Sequence, residues 1–586
     1  MRFLGNVLAV ILGLFIFCMI FFFGFILIAT LAGSGTDDVT VKSNSVIELD
    51  MADVRNDYGG KSHYKEFDYS EVNHDGLSDI LSAIDKAKTD DKIKGISILN
   101  NNTSIGAAQS KALRDQLVDF KRSGKFIMSY ADVYTQQDYY INSVADTIYI
   151  SPIGNFEFKG LSAELMFFKD LQEKSGIKIE VVRHGKYKSA VEPFLDNKMS
   201  DANREQISAL LNSVWNSLLS DISASRKISV EKLNAIADGL LARTPEMAKA
   251  EGLIDKIAYE DEYHNAIRKA LKVDKDKKYN KIKVLDYARK AATTAEFTGS
   301  DRIAVIYAQG EILSGEGSEN YIGEGSMRRS LQEARKDEKV KAIVLRVDSP
   351  GGSAMTSDLI WREIELTKKV KPVVVSMGNL AASGGYYIAC NANEIFAEKN
   401  TITGSIGVFG MLPNMTELAT RIGVHTEQVT TNTNAAGYSP FLPLDDKFRG
   451  FVQFEIERIY NTFVSRVSAG RKMTVAQVDS IGQGRIWSGE QALKIGLVDK
   501  IGGMDDAIKS AAKMAKLKKF KIRDYPEYEK DFSDLLGSLG IPFVATKESL
   551  IKNEIGDENY RLIEKLKTIS AKKGIQAVMP FEIIIR

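Results

Sequence analysis

The sequence predicts an α/β protein built from two copies of one domain behind a single N-terminal apolar helix. Three observations predict it: an uncharged apolar run near the start, a long internal repeat, and short β-branched runs alternating with helical spacing inside the repeat. A length of 586 residues is also more than one domain usually holds.

The apolar run comes first. No charged residue lies between Arg2 and Asp37, and Val7 to Leu31 is almost wholly apolar. Such a run is long enough to cross a ~30 Å hydrocarbon core, and too long for the ~7–15-residue core of a cleaved signal peptide. Residues 1–36 therefore read as a transmembrane anchor that would contact lipid. Arg2 and the α-amine precede the span and Asp37 and Asp38 follow it, so the positive-inside rule leaves the short tail in the cytoplasm and the bulk outside.

The repeat comes next. Asp337-Glu338-Lys339-Val340-Lys341-Ala342-Ile343 restates Asp90-Asp91-Lys92-Ile93-Lys94-Gly95-Ile96, 247 residues later (337 against 90). Tyr386-Tyr387-Ile388 restates Tyr139-Tyr140-Ile141, and Pro440-Phe441 restates Pro193-Phe194, at the same offset. Further on, Gly470-Arg471-Lys472 matches Ser225-Arg226-Lys227, and Gly496-Leu497-Val498-Asp499-Lys500 matches Gly252-Leu253-Ile254-Asp255-Lys256. A period this long marks duplicated domains rather than solenoid units. In the second copy, Ile303 to Tyr307, Lys341 to Val347 and Val373 to Ser376 read as buried strands. Ser326 to Lys336 and Ser357 to Lys369 have helical spacing between them, which argues for a largely parallel sheet covered by helices. The expected domains are 45–275 and 301–525, joined by a charged linker over 276–300 and followed by a C-terminal extension, 526–586.

Composition removes several function classes. A net charge of +1 supplies no field to attract nucleic acid. The five histidines are scattered, without metal-ligand spacing, so no metal and no cofactor is expected. Neither a P-loop nor a Gly-x-Ser-x-Gly elbow is present. Cys18 and Cys390 do not suggest a disulfide framework.

What each copy has lost is more telling. The second carries Asp348-Ser349-Pro350-Gly351-Gly352-Ser353 after a strand, where the first has Ser104 and Ile105 in place of the glycines. Ser383 of Ala381-Ala382-Ser383-Gly384-Gly385 faces Gln136 in the first copy. Conversely, Lys188 of Tyr187-Lys188-Ser189-Ala190-Val191-Glu192-Pro193-Phe194 faces Ala435 in the second. Complementary losses of this kind are what two copies sharing one composite site would leave.

A serine hydroxyl needs a base within hydrogen-bond reach, and no histidine is placed to serve. A lysine serves if burial lowers its pKa from ~10.4. Lys188 and Lys186 would share a face of an extended segment, and spacing alone does not choose between them. Ser383 precedes an apolar run read as a buried helix, so the Gly384 N–H can meet a developing oxyanion, and Gly351-Gly352 can approach closely for want of a Cβ. Tyr386, Tyr387 and Glu192 read as structural.

These motifs, with Thr403-Gly404-Ser405-Ile406-Gly407, resemble those of the long, duplicated signal peptide peptidase A (protease IV) proteins, from about Val46 to Met514. The resemblance implies tandem ClpP/crotonase-like domains, Ser383 as nucleophile and Lys188 as general base. It also implies that Ser405 orients the lysine and that Gly351 or Gly352 joins Gly384 in the oxyanion hole. It further implies a homotetramer on the extracytoplasmic side of a bacterial cytoplasmic membrane, acting on signal peptide remnants. Two rivals are an acyl-CoA enzyme of the same fold and a non-catalytic membrane scaffold. The anchor and Lys188 count against the first, and the retained serine and glycines against the second.

Overall fold

The computed structural model of the chain describes residues 2–33, 40–52, 54, 56–64, 69–100, 103–293, 300–530 and 576–578. An isolated helix, Arg2–Gly33, opens it, and its stretch Gly5–Gly24 is long and apolar enough to cross a membrane. The described apolar side chains from Val10 to Phe23 are exposed, packed against no part of the protein.

The duplication reappears as one strand order used twice. The first sheet runs, edge to edge, Lys256–Ile257, Thr147–Phe156, Phe126–Tyr134, Ile93–Leu99, Ser45–Leu49, Asn280–Lys283, every neighbour parallel. The second runs Lys500–Ile501, Glu394–Ala397, Val373–Ala382, Val340–Ser349, Arg302–Gln309, Lys521–Tyr525, again all parallel. Ile303 to Ala308 is buried residue after residue, as a strand covered on both faces must be. In the second sheet alone, Ile402–Gly404 pairs with the end of Val373–Ala382, and Ile486–Ser488 pairs antiparallel with it in turn.

Two stretches are organised differently from their sequence reading. Part of the expected linker is a strand and a helix of the first unit: Asn280–Lys283 extends its sheet, and Val284–Thr293 buries Val284, Tyr287 and Ala288 in its core. Asn280–Lys283 has a single apolar residue, Ile282, set among lysines and aspartates that dominate the local composition. The expected extension is also tied in. Glu527–Lys530 lies parallel to Lys61–Tyr64 of the first unit, which forms a hairpin with Tyr69–Val72.

A third sheet joins the halves. Its order is Tyr321–Gly323, Glu311–Leu313, Gly351–Ser353, Gln576–Val578, Val408–Asn414, Lys178–His184. Its last pairing is antiparallel over seven residues, from Val408 opposite His184 to Asn414 opposite Lys178. A strand of the first copy is thereby registered against the second, just ahead of Lys188. The helix Asp201–Arg226 strengthens the junction, with Ser213 and Ser488 hydroxyls 2.7 Å apart.

Candidate active site

The strand Val373–Ala382 ends at Ser383, and the short helix Gly384–Ala389 begins immediately after it. Ser383 makes this turn at φ 54°, ψ −114°, a conformation L-residues rarely hold, while its N–H donates to the Gly404 carbonyl at 2.8 Å. Strain of this kind persists only where the surroundings over-determine it, and it gathers at functional positions. Thr403 completes the clamp by donating its hydroxyl to the Ala381 carbonyl at 2.7 Å. Ser405 follows at φ 50°, its N–H held by the Arg485 carbonyl.

Lys188 arrives from the other copy. Its side chain is fully buried, and its Nζ lies 3.0 Å from Ser383 Oγ, 3.0 Å from Ser405 Oγ and 3.4 Å from the Ser405 carbonyl. The Phe409 ring lies beneath the amine, its centroid 5.7 Å away. Burial alone holds this amine well below the ordinary lysine value, which favours the neutral, proton-accepting form. Lys186, its competitor on the sequence, is exposed, with its ammonium over the Tyr187 ring.

The segment around Lys188 is fixed by neighbours rather than by regular structure. The Tyr187 N–H donates to the Gln483 carbonyl, and Ser189 Oγ donates to Asn203 Oδ1 at 2.8 Å while accepting from Gln206 Nε2 at 2.8 Å. Glu192 accepts from Ser200 Oγ at 2.6 Å and Asn203 Nδ2 at 3.0 Å, a structural duty. His184 stacks on Tyr460, with ring centroids 3.9 Å apart, and takes no part. Tyr386 and Tyr139, equivalent in the repeat, each donate to a matching backbone carbonyl, Leu497 and Leu253, as core tyrosines.

The three glycines converge beside Ser383. A Cβ on Gly351, whose φ is +100°, would stand 2.1 Å from the Ala577 carbonyl oxygen and 2.7 Å from Gly384 N. A Cβ on Gly384 would stand 3.1 Å from Gly352 N. These amides and one carbonyl oxygen therefore share a pocket too small for any side chain. In the first copy Gln136, the counterpart of Ser383, accepts from the N–H groups of Lys159 and Gly160 at 3.0 Å each and donates back to the Gly160 carbonyl.

Two residues in contact with Lys188 escaped the motif reading. Gly484, at φ +84°, lies so close that a Cβ would sit 2.6 Å from the Lys188 backbone, and Phe409 lines the amine. The sequence signal for the first was Gly482-Gln483-Gly484, a double-glycine turn; nothing distinguished Phe409 from other core aromatics. Among the described residues, no cluster of His, Cys, Asp and Glu could hold a metal.

The model of Peptidase family S49 matches residues 119–274 and, again, 365–518, once in each copy. The chain belongs to peptidase family S49. Protease 4 of Salmonella typhi is 38% identical over 475 residues, covering 79% of this chain and 76% of the relative. Protease 4 of Haemophilus influenzae is 37% identical over 447 residues, covering 74% and 72%. The chloroplastic serine protease SPPA of Arabidopsis thaliana is 32% identical over 481 residues, covering 79% and 70%. As an S49 protein of the long, duplicated form, the chain is a serine peptidase. Among solved structures, a ClpP1 point mutant from Listeria monocytogenes covers 35% of the chain at 15% identity and a TM-score of 0.25. So low a score adds nothing to the fold assignment, which stands on the repeated strand order.

Proposed function

We propose that the chain is a membrane-anchored endopeptidase in which Ser383 is the nucleophile, Lys188 its general base and the amides of Gly384 and Gly351 or Gly352 the oxyanion hole. The observation that carries this reading is the 3.0 Å separation of a fully buried lysine amine from the serine hydroxyl. The neutral amine takes the Ser383 proton as Oγ attacks a peptide carbonyl. The carbonyl oxygen becomes negative and meets the glycine N–H groups, each typically worth ~2.7–4 kcal/mol to such a transition state. The resulting ammonium returns its proton to the leaving amine, and a water activated by the same lysine then hydrolyses the ester. Ser405 aims the lysine through its Oγ and carbonyl.

The substrates would be apolar peptides such as cleaved signal peptides, which collect where the anchor holds the site. The apolar span Gly5–Gly24 supports one crossing of a bacterial cytoplasmic membrane, with the domains on its outer side. Exposed Val429, Phe441, Phe451 and Phe454 are available to pack between copies in a homotetramer.

The test is cleavage of an apolar signal peptide by the detergent-solubilised chain beside Ser383→Ala and Lys188→Ala. Both variants should stay folded and lose at least ~10²–10⁴-fold in rate. Retained activity in Lys188→Ala would assign the base elsewhere. An inert, folded parent would favour the scaffold reading.

A further inference from the structure

The strand Val373–Ala382 does not run straight into Ser383. It pairs regularly with Val340–Ser349 as far as Met377 opposite Val347, and the pairing resumes at Ala381 opposite Ser349. Between these points Gly378, Asn379 and Leu380 arch over the single residue Asp348. An arch of this kind is a bulge, which interrupts the ladder and re-aims the strand beyond it. Here the strand beyond it is Ala381-Ala382, and Ser383 comes next.

The Asp348 side chain fills the arch. Its Oδ1 accepts from the Leu380 N–H at 2.8 Å, where the ladder is interrupted, and its Oδ2 accepts from Asn379 Nδ2 at 3.1 Å. Gly378 leaves it room, since a Cβ there would stand 2.9 Å from the Asp348 Cβ. Asp348 also heads the turn Ser349-Pro350-Gly351-Gly352, so one carboxyl group spans from the strand of the glycine amides to the strand of the serine. On the far side of the arch, Asn379 Oδ1 accepts from the Gln109 N–H at 3.1 Å, in the first turn of the helix Ala107–Arg122. That helix belongs to the copy that brings Lys188. The first copy ties its own equivalent strands with the pair reversed. Asp132, the counterpart of Asn379 at the 247 offset (379 against 132), accepts from Asn100 Nδ2 at 3.2 Å and donates its N–H to Asn100 Oδ1 at 2.8 Å. There the pair is exposed.

We propose that Asp348 and Asn379 are positioning residues of the peptidase reaction, which fix the shape of the arch and so set where Ser383 stands relative to the glycine amides. The proposal rests on the Ser383–Lys188 reading and adds to it a link that acts through Ser383. Hydrogen-bond chemistry makes a reciprocal demand on the pair. Asp348→Asn alone can turn one amide's donors towards another's. Combined with Asn379→Asp, it restores every bond: the amide at position 348 accepts from the Leu380 N–H and donates to the carboxylate at position 379, which still accepts from the Gln109 N–H.

The experiment measures kcat and KM of the full-length, detergent-solubilised chain on an apolar signal peptide, beside Ser383→Ala, with circular dichroism reporting the folded fraction of each variant at the assay temperature. Asp348→Asn should lower kcat by roughly 10²-fold with KM unchanged, the effect of a displacement of about 1 Å at the reacting centre. Asn379→Ala should act in the same direction, and it reads the link if Asp348→Asn fails to fold. The double variant Asp348→Asn with Asn379→Asp should regain most of the lost kcat. Asp132→Ala, which breaks the reversed pair of the first copy, should leave both constants unchanged. A folded single variant with the parent's kcat overturns the proposal and leaves the proposed function intact. A loss that follows the folded fraction alone, or one that the double variant does not repair, overturns it too. A parent no more active than Ser383→Ala overturns the reading on which the proposal rests.

Discussion

At the scale of single residues, Lys188 is a cation-forming group placed where a cation is disfavoured. Burial pushes its amine well down from the ordinary value. Between that lowered value and ~10.4 the unfolded chain binds a proton that the folded chain does not. Folding stability contributed by this group must therefore rise with pH across that window, and the penalty is full below it. In the proposed reaction the rate rises through the lowered value itself, at the foot of that window, because only the neutral amine accepts the Ser383 proton. Ser405 Oγ accepts a hydrogen bond from that amine at 3.0 Å, which favours the charged form. Ser405→Ala should move the rising limb of the pH–rate profile to lower pH and lower the plateau by no more than about tenfold, the worth of one hydrogen bond of about 1 kcal/mol. A limb that stays in place would remove Ser405 from any role in positioning the lysine. The sequence carried Lys188 only through its family motif, since Lys186 shared its face in an extended segment. The structure parts them by a local fact invisible in composition: residues 185–189 turn over Gln483 and Gly484, leaving one lysine in solvent and the other sealed.

At the scale of elements, the lysine is delivered by a strand and held by a loop. Lys178–His184 is registered over seven residues on Val408–Asn414, and Gly482–Arg485 closes over the turn at 185–189. Gly484→Ala would set a Cβ 2.6 Å from the Lys188 backbone in a φ of +84°, so the loop or the lysine must shift. A misplacement of about 1 Å costs on the order of 10²-fold in rate, so peptide cleavage should fall by roughly that factor while stability drops by about 1–2 kcal/mol. Gly437→Ala, also at positive φ but facing open space, is the control and should leave the rate unchanged. The buried strands of the second sheet were legible because each is a β-branched run covered on both faces. The pairing of Lys178–His184 with Val408–Asn414 was not, since the first strand is half-polar, the second is interrupted by Gly410 and Pro413, and their register is set by a contact between copies. Asn280–Lys283 and Gln576–Val578 escaped for a related reason: a short strand at an edge or between two edges is defined by the partner it finds, not by its own pattern.

At the scale of the whole molecule, the proposed reaction needs both copies, Ser383 from one and Lys188 from the other, as duplication followed by complementary loss would leave them. The repeat motifs return as matching structure: Arg226 with Asp255 and Arg471 with Asp499 make the same ion pair in the two units. What the motifs could not show is that the units share their interior. The core of the first includes Ala382, Ile402 and Ile486 of the second, residues adjoining the candidate site. The buried ion pair between Asp57 and Arg346, 2.7 Å long with both side chains 5% exposed, crosses the same boundary. Arg346 also donates to Ser376 Oγ and the Met377 carbonyl, and Asp57 accepts from Gln109, so each charge is fully engaged. Asp57→Asn leaves the guanidinium buried without its counter-charge and should lower the free energy of urea unfolding by about 3–5 kcal/mol. Replacing both partners with apolar residues, Asp57→Leu with Arg346→Met, should recover most of that loss, because no uncompensated charge remains. If the halves fold as one unit, the parent and both variants unfold in a single transition reported alike by near- and far-ultraviolet circular dichroism. Two separated transitions in Asp57→Asn, with peptide cleavage lost in the first, would mean that this pair holds together domains otherwise stable alone.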